Sequence, residues 1–197
     1  MPQLRIAPPL TRDQIEEIAW QARAAVGLGP YDRVPVANVL EHVLPELIPD
    51  YVFEVEETRK LAGAEAITNG FKPVITFSAL AYDRLRRNEP RARMTGAHEL
   101  GHLLLHTGRT GYAFLSRRDA RLDPEKQADI FAEAFLMPEC AFRRIRTIQE
   151  AMEGFGVSRD AACYRARQLT MRFLLHGPKL AVRKKGKKKG HDMRRAP

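Results

Sequence analysis

Residues 98–102 of this chain read His-Glu-Leu-Gly-His, and this motif constrains the fold more than any other feature. Two histidines four positions apart on an α-helix lie on one face, about 6 Å apart along the axis, so both rings can bind one metal ion at about 2.0–2.1 Å. Glu99 directly follows the first histidine, where zinc-dependent peptide hydrolases carry the carboxylate that takes a proton from water. The pattern therefore predicts His98 and His102 as metal ligands and Glu99 as the catalytic base.

The residues around this motif are mostly apolar, which argues against a solvated, purely polar helix turn. The neighbours include Ala97, Leu100 and Leu103–Leu105. A helix of this composition is expected to be buried over much of its surface. Because an unpaired buried polar group is costly, and one metal ion satisfies both imidazoles, the composition favours a metal site.

A third ligand is expected in the helix that the sequence predicts between Asp123, a suitable N-cap, and Pro138, which ends it. Glu125 and Asp129 lie one turn apart, as a metal site of the gluzincin type needs: the first would bind the ion, and the second would accept a hydrogen bond from a ligand histidine. An exposed acidic first turn that complements the helix dipole explains these carboxylates equally well. Glu133 is a weaker candidate, one further turn along.

Two further residues are candidates for the cleft. His106 continues the four-residue spacing, but on a straight helix it lies about 12 Å from His98 and cannot share one ion with it. It can instead line the cleft, stabilise the oxyanion or interact with the helix C-terminus. Tyr112 is the second oxyanion candidate, in a loop over residues 109–122 that could act as a lid.

Two sequence blocks are specific in combination: residues 93–106, which hold the His-Glu-x-x-His motif, and residues 125–138, which read Glu-x-x-Ala-Asp-x-Phe-Ala and end in Leu-Met-Pro. Over about residues 30–170 the chain resembles the ImmA/IrrE family of bacterial and phage metallopeptidases. One departure is Met94-Thr95-Gly96, where the family often has Phe-Thr-Leu. The resemblance implies a zincin-like fold with three zinc ligands, His98, His102 and Glu125, and with Glu99 as catalytic base.

The resemblance also implies a substrate, an Xre-type helix-turn-helix repressor that is cut at one site, which would release phage, mobile-element or stress genes. Two other functions stay open. The protein can be a non-catalytic DNA- or repressor-binding regulator with a structural or vestigial metal, or a toxin–antitoxin component that acts by contact alone. Zn²⁺ is the expected cofactor, and Mn²⁺ suits the same ligands.

Periodicity predicts an α+β fold that is mostly helical, with a small antiparallel sheet before the motif helix and a helical bundle at the C-terminal end. Strands are predicted over 51–56, 61–67 and 71–77, and the last two flank Asn69-Gly70, a hairpin signal. Val74–Phe77 is the candidate edge strand for pairing with an extended substrate. Helices are predicted over 11–26, 36–44, 78–88, 139–150 and 158–172.

We expect four parts along the chain: an N-terminal helical segment (1–30), a zincin-like metallopeptidase core (31–138), a C-terminal helical part (139–182) and a disordered basic tail (183–197). Residues 154–169 resemble the turn and second helix of a helix-turn-helix. In that case Arg159, Arg165 and Arg167 would meet phosphates. Packing of this segment on the peptidase core is the favoured alternative.

The net charge of +9 is concentrated at one end of the chain. Residues 183–197 hold eight Lys or Arg and one Asp, a net charge of +7, so the other 182 residues carry +2. This tail predicts at most weak, salt-dependent contact with nucleic acid. No apolar run is long enough to span a bilayer, and two cysteines are too few for a disulfide framework, so we expect a cytoplasmic protein.

Overall fold

The structure is a computed structural model that describes residues 9–108, 123–171 and 174. The first half contains α1 (Arg12–Ala25), α2 (Val36–Asn38), a π-helical turn (Val39–Val43), α3 (Leu44–Leu47), β1 (Val52–Glu56), a 3₁₀ turn (Thr58–Leu61), β2 (Ala66–Thr68), β3 (Val74–Ser78) and α4 (Ala79–Arg86). The second half contains α5 (Pro90–His106), α6 (Pro124–Leu136), α7 (Glu139–Phe142), α8 (Ile148–Phe155) and α9 (Arg159–Gln168). The predicted α+β, mostly helical class is confirmed.

The sheet is mixed, so the prediction of a wholly antiparallel sheet is wrong. The strand order is β1-β3-β2, in which β2 runs antiparallel to β3 and β1 runs parallel to it. The hairpin around Asn69-Gly70 therefore joins β2 to β3, and β1 adds to the other side of β3. The predicted edge strand at Val74–Phe77 is wrong for the same reason, because β3 is central and its Ile75 and Phe77 are fully buried. The edge strand next to the motif helix is β2.

Polar caps fix where most of the helices begin, as the sequence indicates. The side chains of Thr11, Ser78, Asp123 and Ser158 each accept a hydrogen bond from a backbone N–H in the first turn of α1, α4, α6 and α9. The predicted single helix over 139–150 is wrong, because α7 ends at Phe142. A new helix, α8, begins after Thr147, whose side chain caps it by accepting from the Glu150 N–H.

Gly96 explains the departure of this chain from the family pattern in the approach to the motif. A Cβ atom at this position would lie 2.7 Å from Val36 Cγ1 and 3.2 Å from Leu40 Cδ1. Glycine weakens a helix interior by about 1 kcal/mol relative to alanine. Here the absence of a side chain leaves room for α5 to pack directly on the helical segment 36–47.

One hydrophobic core joins the N-terminal helix, the sheet, the motif helix and the C-terminal helices. It contains Ile15 of α1, Phe77 of β3, Leu100 of α5, Phe131 of α6 and Phe155 of α8. The helices after Pro138 thus pack on the same core as the motif helices. The domain boundaries stay a prediction.

Buried arginines bind the backbone carbonyls at which these layers meet. Arg23 of α1 donates to the Phe135 carbonyl over 2.6 Å, at the end of α6. Arg93 of α5 donates to the carbonyls of Val34 and Phe155 over 2.8 and 3.0 Å. Both side chains are fully or almost fully buried. Each guanidinium therefore satisfies carbonyls that the ends of helices and loops leave without a helical partner.

Arg165 of α9 is also fully buried, so the predicted phosphate contact of this residue is wrong. It donates to the Met137 carbonyl over 3.1 Å and to both carboxylate oxygens of Glu16 over 2.8 and 3.1 Å. Through Arg165, the helix-turn-helix-like segment is thus packed on α1 and on the end of α6. The basic tail, Tyr112 and the loop 109–122 lie outside the described residues. In the part of the chain that the structure describes, no helix is long and apolar enough to cross a membrane.

Candidate metal centre

α5 carries both histidines of the motif on one face, with their rings edge to face and 4.7 Å apart between centroids. The Nε2 atoms of His98 and His102 lie 3.0 Å apart. α6 brings Glu125 against them, with Oε2 at 3.2 Å from His98 Nε2 and Oε1 at 3.4 Å from His102 Nε2. Two imidazole nitrogens and the two oxygens of one carboxylate therefore lie close together, and they belong to the three residues that the family resemblance implies.

These distances fit a metal ion. Donor atoms at the corners of a tetrahedron, about 2.0–2.1 Å from a zinc ion, lie about 3.3 Å from one another. The two Nε2 atoms lie 3.0 Å apart, and each faces a different oxygen of Glu125, at 3.2 and 3.4 Å. One ligand atom from each of the three residues lies within 4.8 Å of the other two. Two imidazoles and one carboxylate suit Zn²⁺ and also Mn²⁺. The Glu125 side chain is 70% exposed, so the side of the cluster on which it lies is open to solvent.

A glycine inside the motif lets the two metal-site helices approach. A Cβ atom at Gly101 would lie 3.1 Å from Ala128 Cα and 3.1 Å from Phe131 Cδ1. These distances are tighter than ordinary van der Waals contact, and one of them is to the backbone of α6. A larger residue would require its neighbours on α6 to shift by a few tenths of an ångström, and Glu125 is carried on the first turn of that helix.

Asp129 lies behind His98, where a residue that orients a ligand histidine is expected. Its Oδ1 is 3.1 Å from His98 Nδ1, the ring nitrogen that faces away from the donor cluster. Burial lowers the pKa of His98, but hydrogen bonds to Asp129 and Glu125 outweigh it and raise that pKa to about 9. Hydrogen bonds from His102 and His98 hold the pKa of Glu125 far below its ordinary value. A metal ion that binds here therefore displaces a proton from His98.

Glu99 is 7% exposed and is held by an unexpected partner. The Thr68 hydroxyl donates to Glu99 Oε2 over 2.7 Å and lies 3.0 Å from the Glu99 backbone carbonyl oxygen. Thr68 is the last residue of β2, so the end of the edge strand touches the predicted base. Sequence reasoning missed Thr68. Its position, one residue before the Asn69-Gly70 turn, places it at the end of a strand but does not indicate which helix that end contacts.

His106 lies on the far side of His102 from the donor cluster. Its Nδ1 is 3.0 Å from His102 Nδ1, and its Nε2 is 2.9 Å from Gln127 Oε1. Gln127 is fully buried, and sequence reasoning missed it. The available signal was a glutamine among the apolar positions of α6, two residues after Glu125.

Glu133 is not brought to the donor cluster. Its Oε2 lies 3.8 Å from Arg12 Nη1, at the contact between α6 and α1. Burial raises the pKa of Glu133 to about 7, although Arg12 and Arg165 lower it. The structure therefore gives this carboxylate a place in the packing of the N-terminal helix.

Three features define a metallopeptidase-like domain. They are a helix with the His-Glu-Leu-Gly-His motif, a glutamate from the following helix, and a small sheet whose edge touches Glu99. Comparison with known families agrees: residues 80–167 match the IrrE N-terminal-like domain, Peptidase_M78. Residues 80–167 thus form a peptidase-type domain, and this match supports the resemblance to the ImmA/IrrE family. All three donor residues lie inside the matched segment, whereas Thr68 lies before it. No curated protein matches the chain in sequence.

Proposed function

We propose that the protein is a zinc-dependent endopeptidase that makes a site-specific cut in a protein substrate. The observation that carries the proposal is the donor cluster of His98, His102 and Glu125, whose ligand atoms lie within 4.8 Å of one another next to the buried Glu99. A catalytic zinc site uses three protein ligands and keeps a fourth position for water or substrate. The match to a peptidase family supports this reaction class.

When bound, zinc supplies Lewis acidity, which polarises the scissile carbonyl and lowers the pKa of water. Glu99 accepts a proton from the water that attacks the carbonyl carbon, and passes it to the leaving amine as the C–N bond breaks. Thr68 holds Glu99 Oε2, which leaves Oε1 for that proton. Asp129 fixes the ring of His98 through Nδ1. Tyr112 stays our candidate donor to the oxyanion.

The edge strand supports a protein substrate in extended form. β2 forms one edge of the sheet and ends at Thr68, which contacts the base. A peptide that adds to this edge as a further strand would pass beside Glu99. The side chain of Ile67, in the middle of β2, is half exposed and available for contact with such a peptide.

We further propose an Xre-type helix-turn-helix repressor as the substrate, so that cleavage releases phage, mobile-element or stress genes. The support is the match of residues 80–167 to the IrrE N-terminal-like domain, together with the resemblance of the chain to the ImmA/IrrE family. Such a substrate implies action in the cytoplasm, with which the two free cysteines, Cys140 and Cys163, are compatible.

The proposal is tested by mixing the zinc-loaded protein with a purified Xre-type repressor from the same organism, with and without a chelator. We expect one specific fragment that the chelator abolishes. Glu99→Gln should retain zinc and lose cleavage, whereas the control Glu46→Gln, at an exposed site on α3, should cut normally. A Glu99→Gln variant that cuts at the wild-type rate contradicts the mechanism. Repressor or operator binding that survives zinc removal, without any fragment, favours the non-catalytic regulator.

A further inference from the structure

A chain of contacts runs from the metal-facing edge of His102 into the core. His102 Nε2 belongs to the donor cluster, and its Nδ1 faces His106 Nδ1 at 3.0 Å. His106 Nε2 in turn faces the Oε1 of Gln127 at 2.9 Å. The rings of His102 and His106 lie on successive turns of α5 with centroids 5.1 Å apart, and Gln127 is fully buried on α6. The chain therefore crosses from one metal-site helix to the other.

When Nε2 of His102 binds a metal, only one arrangement of protons places a donor against an acceptor at every contact of this chain. If Nε2 of His102 binds a metal through its lone pair, the proton of the neutral ring must be on Nδ1. That N–H then donates to His106 Nδ1, which must be unprotonated. His106 consequently carries its proton on Nε2, and this N–H donates to the carbonyl oxygen of Gln127. With the proton of His106 on Nδ1 instead, two N–H groups would face each other.

We infer that His106 and Gln127 are positioning residues, which hold the ring of His102 in the orientation and the tautomer that a metal ligand needs. This inference rests on the proposed metal site. It replaces the sequence-based hypothesis of His106 as an oxyanion or cleft residue, because its ring nitrogens face His102 and Gln127 instead of the donor cluster.

The two histidine ligands are thus anchored differently. His98 is held by the carboxylate of Asp129 at 3.1 Å, whereas His102 is held by a neutral ring that ends on a neutral amide. Residues behind a metal ligand fix its orientation, and their loss typically weakens metal binding about 10–100-fold. The neutral anchor orients His102 without bringing a further negative charge to a site that already contains Glu125, Asp129 and Glu99.

The test is the zinc affinity of purified full-length variants, measured by competition with a chromophoric chelator. His106→Leu removes the acceptor for His102 and should weaken zinc binding about 10–100-fold. His106→Asn keeps an acceptor oxygen one bond from Cγ, where Nδ1 stands in histidine, and should recover most of the lost affinity. Gln127→Met removes the acceptor for His106 at similar volume and should weaken binding as well. The control His42→Leu, a histidine with a largely exposed side chain, should bind zinc like the wild type.

A second readout uses the long-range ¹H–¹⁵N spectrum of the zinc-loaded protein, which distinguishes histidine tautomers. We expect the proton on Nε2 of His106 and on Nδ1 of His102. Circular dichroism of the zinc-free variants reports whether they fold. If His106→Leu does not fold, the zinc affinity of Gln127→Met compared with that of the wild type tests the inference in the same way. Zinc affinity within twofold of wild type in the Leu or Met variant, or a His106 proton on Nδ1, overturns this inference alone. A wild-type chain that binds no zinc contradicts the proposed function itself.

Discussion

The hydroxyl of Thr68 donates a 2.7 Å hydrogen bond to Oε2 of Glu99 and so connects the last residue of the edge strand with the carboxylate of the metal-site helix. Glu99 is almost fully buried, and a buried carboxylate needs such donors. The contact also selects which of the two oxygens can face water. The edge strand therefore has two functions in the proposed mechanism: it is the strand that can pair with substrate, and it positions the base.

Replacing Thr68 tests this relationship. A hydrogen bond to a charged group contributes about 1.5–3 kcal/mol, so Thr68→Val should lower kcat about 10–100-fold. Thr68→Ser keeps the hydroxyl and should retain most of the activity. Because neither change touches a metal ligand, zinc affinity should stay at the wild-type level. An unchanged kcat in the Val variant, or an equal loss in the Ser and Val variants, would show that the hydroxyl does not position the base.

Gly101→Ala tests whether close contact between α5 and α6 places Glu125. The added methyl group would lie 3.1 Å from Ala128 Cα, and a Cβ this close to a backbone atom requires α6 to shift by a few tenths of an ångström. We expect a loss of about 1–3 kcal/mol in the free energy of unfolding and weaker zinc binding. Chemical denaturation of the zinc-free protein and a zinc titration measure the two effects.

Gly154→Ala is the matched control for this substitution. Gly154 lies in α8, and a Cβ atom there would meet no atom within 4 Å. Alanine should therefore stabilise the protein by about 0.5–1 kcal/mol through helix propensity, without an effect on zinc. If both alanine variants bind zinc like the wild type, the close approach at Gly101 does not control the position of Glu125.

Arg165→Met tests the buried ion pair between α9 and α1. The change leaves Glu16 and the Met137 carbonyl without this donor in a buried region, which should cost about 3–5 kcal/mol of unfolding free energy. Arg143, whose exposed side chain pairs with Glu139 four residues earlier, is the control. Its replacement by methionine should change the unfolding free energy by less than about 0.5 kcal/mol. Urea denaturation that gives equal values for both variants would contradict the assigned role of Arg165.

The buried carboxylate of Glu133 predicts a specific pH dependence of stability. Its pKa is about 7 in the folded protein against an ordinary 4.5, so the folded state binds the extra proton between these values. The contribution of protonated Glu133 to the free energy of unfolding is therefore fully present below about pH 4.5, and it is lost as the pH rises through 7. A pKa shift of this size corresponds to a loss of at most about 3 kcal/mol in the free energy of unfolding. Because glutamine does not titrate, Glu133→Gln should remove this pH-dependent loss. Unfolding free energies at pH 5 and pH 8 should diverge between wild type and variant, and parallel values would contradict the burial argument.

The features of the site that depend on the periodicity of an α-helix were predictable from the sequence. The spacing of His98 and His102 fixes both rings on one face of a helix, and the N-cap at Asp123 fixes the first turn, which carries Glu125. The caps of α1, α4 and α9 were predictable for the same reason. Each of these features depends on residues within about one turn of one another.

Contacts between distant residues were not predictable from the sequence. Thr68 and Glu99 are 31 positions apart, and His106 and Gln127 are 21 apart, so no local pattern indicates that they meet. The alternation of apolar and polar residues in each strand likewise does not indicate which edge of the sheet β1 joins, so its parallel pairing with β3 could not be predicted. A buried arginine such as Arg93 looks like a surface residue until the carbonyls that it binds are brought together by the fold.

The most direct measurement is the anomalous scattering from crystals grown with zinc. We predict one strong zinc peak per chain, within about 2.0–2.2 Å of Nε2 of His98, Nε2 of His102 and a carboxylate oxygen of Glu125. A zinc ion bound elsewhere, or a Glu125 carboxylate that turns away from an ion held by the two histidines, would contradict the assignment of the metal centre.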